Sequence, residues 1–193
     1  MKTMNLKTCM LTALITLGAI TGSYAHGDKP HGQISPAALD SVYGSYLRIQ
    51  KALARDDAAS AKKESEAFLK KPIELPKELS HSVKALDLLQ DYQAMGSAED
   101  LQSSREAFRG LSEHIVVLMS ETYSGNDSAM VFFCPMANGK KGARWVQDGR
   151  KTANPYYGKS MPNCGSMKMQ VSPSIDKKPD AETKTHSGSS HSH

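Results

Sequence analysis

The fold is decided by the stretch SAEDLQSSREAFRGLSEHIVVLM, which runs from Ser97 to Met119. Its apolar residues recur at the spacing of one helix face, at Leu101, Phe108, Leu111, Ile115, Leu118 and Met119. Ser97, with Asp100 three residues later, resembles a capping box, in which side chains bind the free N–H groups of the first helical turn. The stretch therefore predicts an amphipathic helix that ends near Ser124.

Three further helical patterns precede this stretch, each with a start or stop signal. They run from Ser35-Pro36 to about Arg55, from Asp57 to Pro72, and from Pro76 to Gly96. Because short connections force consecutive helices to be antiparallel, the patterns predict an up-down four-helix bundle. We expect an all-α fold in which residues 129–169 form an irregular loop packed on the bundle, with at most a short strand at Met130–Phe133.

The first 25 residues have the features of a secretory signal peptide. Lys2 and Lys7 precede an apolar run from Cys9 to Ile20, and Ser23-Tyr24-Ala25 has the small-x-small pattern of a cleavage site. We expect an exported, periplasmic protein with no membrane span after cleavage. The predicted organisation is a signal peptide over 1–25, a flexible leader over 26–34, a domain over 35–170 and a disordered, histidine-bearing tail over 171–193.

Composition and charge exclude several classes of protein. With 39% hydrophobic and 23% charged residues, the chain is neither a polytopic membrane protein nor a disordered polyelectrolyte. The chain has 24 basic and 20 acidic residues, so loss of the two signal lysines leaves 22 against 20, a net charge of +2. This near balance, without a basic run, argues against nucleic-acid binding.

Four sulfur-bearing residues form two pairs after the helices, Cys134 with Met136 and Met161 with Cys164. Thiolate and thioether are soft ligands that Cu(I) prefers, so the pairs predict a soft-metal site. A disulfide between the two cysteines is an equally strong alternative, and the methionines also suit gap-filling in a core. The disulfide would close a loop of about 30 residues and hold it on the bundle.

Weaker metal candidates lie elsewhere in the chain. His114 borders the apolar stripe of the fourth helix, Met167 belongs to a local cluster of methionines, and His26 would become the N-terminal residue after cleavage. Arg105 lies beside the same stripe, where extension to solvent is the default and pairing with the loop is the alternative.

Several motifs together resemble one exported family of unknown function. They are REAFRGLS at 105–112, CPMA at 134–137, Trp145, NPYYG at 154–158 and M-x-x-C-G at 161–165. That family occurs alone and fused to the C-terminus of periplasmic adaptor proteins of CusB-type copper and silver efflux systems. The resemblance covers residues 36–168 and implies a helical bundle with a cysteine loop, an envelope location and a role in handling soft metals.

The sequence thus favours a binding protein over an enzyme. It has no C-x-x-C redox pair and no recognisable set of nucleophile, base and orienting group. We expect a protein that binds copper, as Cu(I), and passes it to a metal-efflux or metal-assembly partner. The alternative is a protein-interaction module whose loop is locked by a disulfide between Cys134 and Cys164.

Overall fold

The computed structural model describes residues 34–122 and 129–171. The predicted signal peptide, almost all of the predicted leader and almost all of the predicted tail lie outside these residues. Ile34, the last residue of the predicted leader, is buried, and its N–H donates to the Leu79 carbonyl at 3.2 Å. In the described ranges, no helix is both long and apolar enough to cross a membrane.

Four long helices make up the first part of the structure. They are α1 (Pro36–Leu53), α2 (Ala58–Leu69), α3 (Ala85–Ser97) and α4 (Leu101–Thr122). The predicted caps of the first two are confirmed, because Ser35 Oγ accepts from the Ala38 N–H at 3.3 Å and Asp57 Oδ1 accepts from the Ser60 N–H at 2.9 Å. Helix α1 packs on α2, α2 on α3, α3 on α4, and α4 back on α1.

The predicted start of the third helix is wrong by nine residues. Glu78 and Lys84 pair as an isolated β-bridge, and the Leu79 N–H donates to the Val83 carbonyl at 2.8 Å. Ser80 Oγ also accepts from the Val83 N–H at 3.2 Å. These local bonds compete with helix formation, so α3 begins only at Ala85.

The cap of α4 also differs from the prediction. Ser97 ends α3, whereas Asp100 Oδ1 accepts from the Ser103 N–H at 2.7 Å at the start of α4. The carboxylate predicted to complete a capping box is therefore itself the cap.

The predicted all-α class is wrong, because the second part of the structure is a three-stranded antiparallel sheet. The strands are β1 (Ala129–Cys134), β2 (Ala143–Gln147) and β3 (Ser166–Val171), and their order is β2-β1-β3. The expected short strand at Met130–Phe133 is the middle strand of this sheet. The expected irregular loop supplies both edge strands, since backbone groups of β1 find partners on each side.

The helices and the sheet share one hydrophobic core. Strand β2 packs on α4. Aromatic rings connect the two parts. The ring centroid of Phe108 lies 5.4 Å from that of Tyr46 and 5.7 Å from that of Tyr156, and the centroids of Trp145 and Tyr156 are 6.1 Å apart. Tyr46, Phe108 and Trp145 are fully buried, so these rings form part of the core between the sheet and the bundle.

Candidate metal centre

The sheet brings Cys134 and Cys164 together. Cys134 ends β1 opposite Ala143 of β2, and Cys164 lies just before β3, whose Ser166 opposes Phe133. Because β1 and β3 are antiparallel, the end of one strand meets the start of the other, and the two Sγ atoms lie 2.8 Å apart. Both cysteines are free thiols, since a disulfide bond measures about 2.05 Å.

The two thiols differ in their access to solvent. Cys134 is fully buried, whereas Cys164 is half-buried. The pKa of the Cys164 thiol is raised, chiefly because it keeps its proton to hydrogen-bond with Cys134, with a smaller contribution from burial. A hydrogen bond from the backbone N–H of Met136 lowers the pKa of Cys164 and so partly offsets this rise. Cys164 is therefore the accessible member of the pair, and its raised pKa keeps it protonated to higher pH than an ordinary cysteine.

Asn154 fixes the backbone beside Cys164. This fully buried side chain donates from Nδ2 to the Cys164 carbonyl at 2.7 Å, and its Oδ1 accepts from the N–H groups of Tyr156 and Tyr157 at 2.8 and 3.2 Å. Its own N–H donates to the Pro162 carbonyl at 3.2 Å. Asn154 therefore clamps the two sides of the loop that carries Cys164.

The sequence analysis assigned no role to Asn154. The signal was present in the NPYYG motif, because an asparagine before a proline favours a turn in which its side chain binds nearby backbone.

The two methionines predicted as ligands make backbone hydrogen bonds to Tyr157 and to Cys164. The Met136 carbonyl accepts from the Tyr157 hydroxyl at 2.6 Å, and the Met161 carbonyl accepts from the Cys164 N–H at 3.2 Å. Met136 exposes 41% of its surface, and Met161 is intermediate in burial. The structure thus brings the thiols into contact and places both methionines next to them in the chain path.

The weaker candidates lie in other surroundings. His114 Nδ1 contacts Asp91 Oδ2 of α3 at 2.5 Å, and burial raises the pKa of that carboxyl. Met167 is 43% exposed on β3, and His26 lies outside the described residues. Within 34–122 and 129–171, no three His, Cys, Asp or Glu side chains are grouped to hold a metal.

Arg105 pairs with the loop and does not extend into solvent, which is the alternative that the sequence left open. Its Nε donates to the Pro155 carbonyl at 3.0 Å and its Nη2 to Asp56 Oδ1 at 2.6 Å. Asp56 has a positive φ of 63°, and a Cβ atom on Gly158 would lie 1.8 Å from Asp56 Oδ1. Arg105 therefore anchors the NPYYG loop to Asp56. Position 158 of this loop lies so close to Asp56 that only glycine fits there.

The comparison with protein families covers the helical part of the chain. Residues 42–127 match the family described as "Protein of unknown function (DUF3347)". This DUF3347 region begins inside α1 and continues past the end of α4, so the sheet with the two thiols follows the matched segment. No curated protein and no solved structure matches the chain.

Proposed function

We propose that this protein binds a soft monovalent metal ion, Cu(I), through Cys134 and Cys164 and passes it to a partner in the cell envelope. The observation that carries the proposal is the contact between two free thiols at 2.8 Å, made by residues 30 positions apart. Thiolates are soft ligands that select Cu(I) over hard cations. The protein acts as a binding protein in this proposal, without a catalytic step.

The donor set fits the metal if one thiol moves. With metal–thiolate bonds of about 2.3 Å, a linear arrangement of two sulfurs on one ion separates them by about 4.6 Å, whereas the two Sγ atoms now lie 2.8 Å apart. Cys134 is buried in β1, whereas Cys164 lies in the half-buried segment before β3. Cys164 is therefore the ligand that shifts when the ion enters.

Binding should strengthen as pH rises. The ligand is the thiolate, so each bound ion displaces thiol protons. Because the pKa of Cys164 is raised by its contact with Cys134, this proton is retained in the free protein over a wider pH range. Release of metal in a more acidic environment follows from the same competition.

Met136 and Met161 supply thioether ligands in this proposal. The Met136 N–H hydrogen-bonds to Cys164, and the Met161 carbonyl accepts from the Cys164 N–H. The unbranched methionine side chain has three rotatable bonds with which to turn its sulfur toward the ion. Met136 is the more exposed of the two, so it would also be the first sulfur that an incoming ion or partner meets.

The proposed location and partner rest on the sequence. The signal-like first 25 residues support export, and the resemblance to a domain fused to copper and silver efflux adaptors supports a metal-efflux or metal-assembly partner. The match of residues 42–127 to a family of unknown function is compatible with this role and assigns none itself.

Competition with a Cu(I) chelator tests the proposal. Reduced protein should take one equivalent of Cu(I), and Cys164→Ser and Cys134→Ser should each abolish tight binding because one thiolate is lost. Met136→Leu should weaken binding and preserve helix content, since the swap nearly conserves volume. Met95→Leu, at a buried position in α3, is the matched control and should bind as wild type. Equal affinity of wild type and Cys164→Ser would overturn the proposal.

A disulfide-locked interaction module is the second candidate function, favoured by the same short contact between Sγ atoms. Oxidation would join Cys134 to Cys164 and close a loop of about 30 residues, a constraint that stabilises by roughly 3–4 kcal/mol in the chain-entropy model. A thiol count on protein isolated from the periplasm separates the candidates. A pair that is fully oxidised and resists mild reductant favours the module, because an oxidised pair cannot bind metal as thiolates.

A further inference from the structure

A cavity lies between α4 and the loops of the sheet. It has a volume of about 650 Å³, within the roughly 300–1,000 Å³ of small-molecule sites. Leu101, Arg105 and Arg109 of α4 line one wall, and Ala137–Gly139 with Tyr156 and Tyr157 line the other. The cavity is thus built from the helices on one side and from the cysteine-bearing part of the chain on the other.

One positive charge in this cavity is available to a ligand. Arg105 already binds Asp56 and the Pro155 carbonyl, and Glu106 accepts from Gln102 Nε2 at 3.3 Å. Arg109 is exposed, and among the described residues it makes no hydrogen bond and no ion pair. Its guanidinium therefore keeps all five N–H donors free, in the fork that matches a carboxylate.

The aromatic wall of the cavity offers ring surface more than hydroxyl groups. The Tyr156 hydroxyl donates to the Arg144 carbonyl and the Tyr157 hydroxyl to the Met136 carbonyl, both at 2.6 Å. Arg109 and Tyr156 both line the cavity, Arg109 from α4 and Tyr156 from the opposite wall. A ligand would meet apolar surface from the rings and from Leu101 beside one cationic group.

We propose that this cavity binds a small monocarboxylate that carries an apolar or aromatic group. The carboxylate pairs with Arg109, and the apolar group packs against Leu101 and Tyr157. Glu106 lies on the same wall and repels a second negative charge, so a monoanion is preferred over a polyanion such as citrate. This site is separate from the thiol pair and does not depend on metal binding.

An NMR titration with 3-phenylpropionate tests this proposal on the uniformly ¹⁵N-labelled protein. We expect the amide signals of Ala137, Asn138 and Gly139 to shift in a saturable manner. Arg109→Gln should weaken binding roughly 10- to 100-fold, the cost of losing a charged hydrogen bond. The wild-type protein should bind the neutral analogue 3-phenylpropanamide with an affinity reduced by a similar factor.

Two variants control for general changes in charge. Arg55→Gln removes an exposed arginine that does not line the cavity and should leave the affinity unchanged. Glu106→Gln removes the repelling carboxylate and should tighten binding of 3-phenylpropionate and, more strongly, of citrate. Absence of saturable shifts, equal affinity in wild type and Arg109→Gln, or tighter binding of citrate than of 3-phenylpropionate to wild type would each overturn the proposal. Cys164→Ser should bind the acid as wild type does, which separates this site from the proposed metal centre.

Discussion

Asn154 is a single side chain on which the geometry of the thiol pair depends. It is fully buried, and its bonds reach the Cys164 carbonyl and the backbone of the tyrosines that follow it. Asn154→Asp keeps the shape and the accepting oxygen, but it loses the donor to the Cys164 carbonyl. We expect unfolding free energy to fall by about 1–3 kcal/mol, the cost of a buried unsatisfied group, in urea denaturation.

The same variant should make Cys164 more reactive, because its backbone is released. Alkylation of the reduced protein with iodoacetamide should be faster than in wild type. Asn163→Asp places the same new charge next to Cys164 at an exposed position and is the matched control. If both variants alkylate at the same rate, charge and not the clamp controls the thiol.

Single residues differ in how far the sequence could predict them. The sequence placed Phe108 on the buried face of its helix, and it is fully buried. The sequence also predicted that Cys134 and Cys164 lie close together. The clamp by Asn154 escaped prediction because its partner, the Cys164 carbonyl, lies 10 positions away and is reached only once the loop has closed.

At the scale of elements, the cap of α4 makes stability depend on pH. The pKa of Asp100 is lowered, first by the Ser103 N–H and then by the Ser103 hydroxyl, which both donate to its carboxylate. The folded state therefore holds the charged form more strongly than the unfolded state does. This contribution is full above the unfolded value near 3.8 and is lost as pH falls through the lowered folded value.

Asp100→Asn tests this cap. Asparagine caps helices as well as aspartate does and stays neutral, so the variant should lose less stability than wild type between about pH 6 and pH 3. Thermal unfolding followed by circular dichroism measures the difference. Asp40→Asn, at an exposed position in α1, should keep the wild-type slope. Parallel curves for Asp100→Asn and wild type would exclude the cap as the source.

Helices were easier to predict than strands for a physical reason. Caps and apolar periods act within a few residues, and the starts of α1 and α2 follow from Ser35-Pro36 and Asp57. A strand needs a distant partner. In β3, Met167, Met169 and Val171 alternate with Lys168 and Gln170, which is a strand pattern, but the strand forms only where β1 offers it partners.

At the scale of the whole molecule, Tyr46 joins the bundle to the sheet. Its hydroxyl lies 2.7 Å from Ser112 Oγ of α4 and accepts from the Val146 N–H of β2 at 2.9 Å, while Ser112 Oγ donates to the Arg144 carbonyl at 3.0 Å. Burial also raises the pKa of Tyr46, so the hydroxyl stays neutral across the physiological range.

Removal of this hydroxyl should destabilise the whole fold. Tyr46→Phe leaves the Val146 N–H without its acceptor, and we expect a loss of about 1–3 kcal/mol in unfolding free energy. Ser112→Ala should cost a similar amount, and the double variant should cost less than the sum of the two because they share one network. Additive losses in urea denaturation would show that the two hydroxyls act independently.

The joint between helices and sheet could not be predicted from local patterns. Tyr46 and Val146 are 100 positions apart, and each looks like an ordinary core residue in its own segment. The sequence indicated that the region after the helices packs on them. Which edge of which strand faces α4 depends on pairing between β1 and β2, which only the folded chain defines.

Trp145 is the single tryptophan of the chain, and this gives the protein a built-in optical probe. The indole is fully buried, and a Cβ atom on Gly165, the residue after Cys164, would lie 2.6 Å from its ring. Emission excited at the red edge of the protein spectrum therefore comes from one position beside the thiols. Quenching or a spectral shift of this fluorescence can follow events at Cys164 in real time, without a label and without a contribution from the helical bundle.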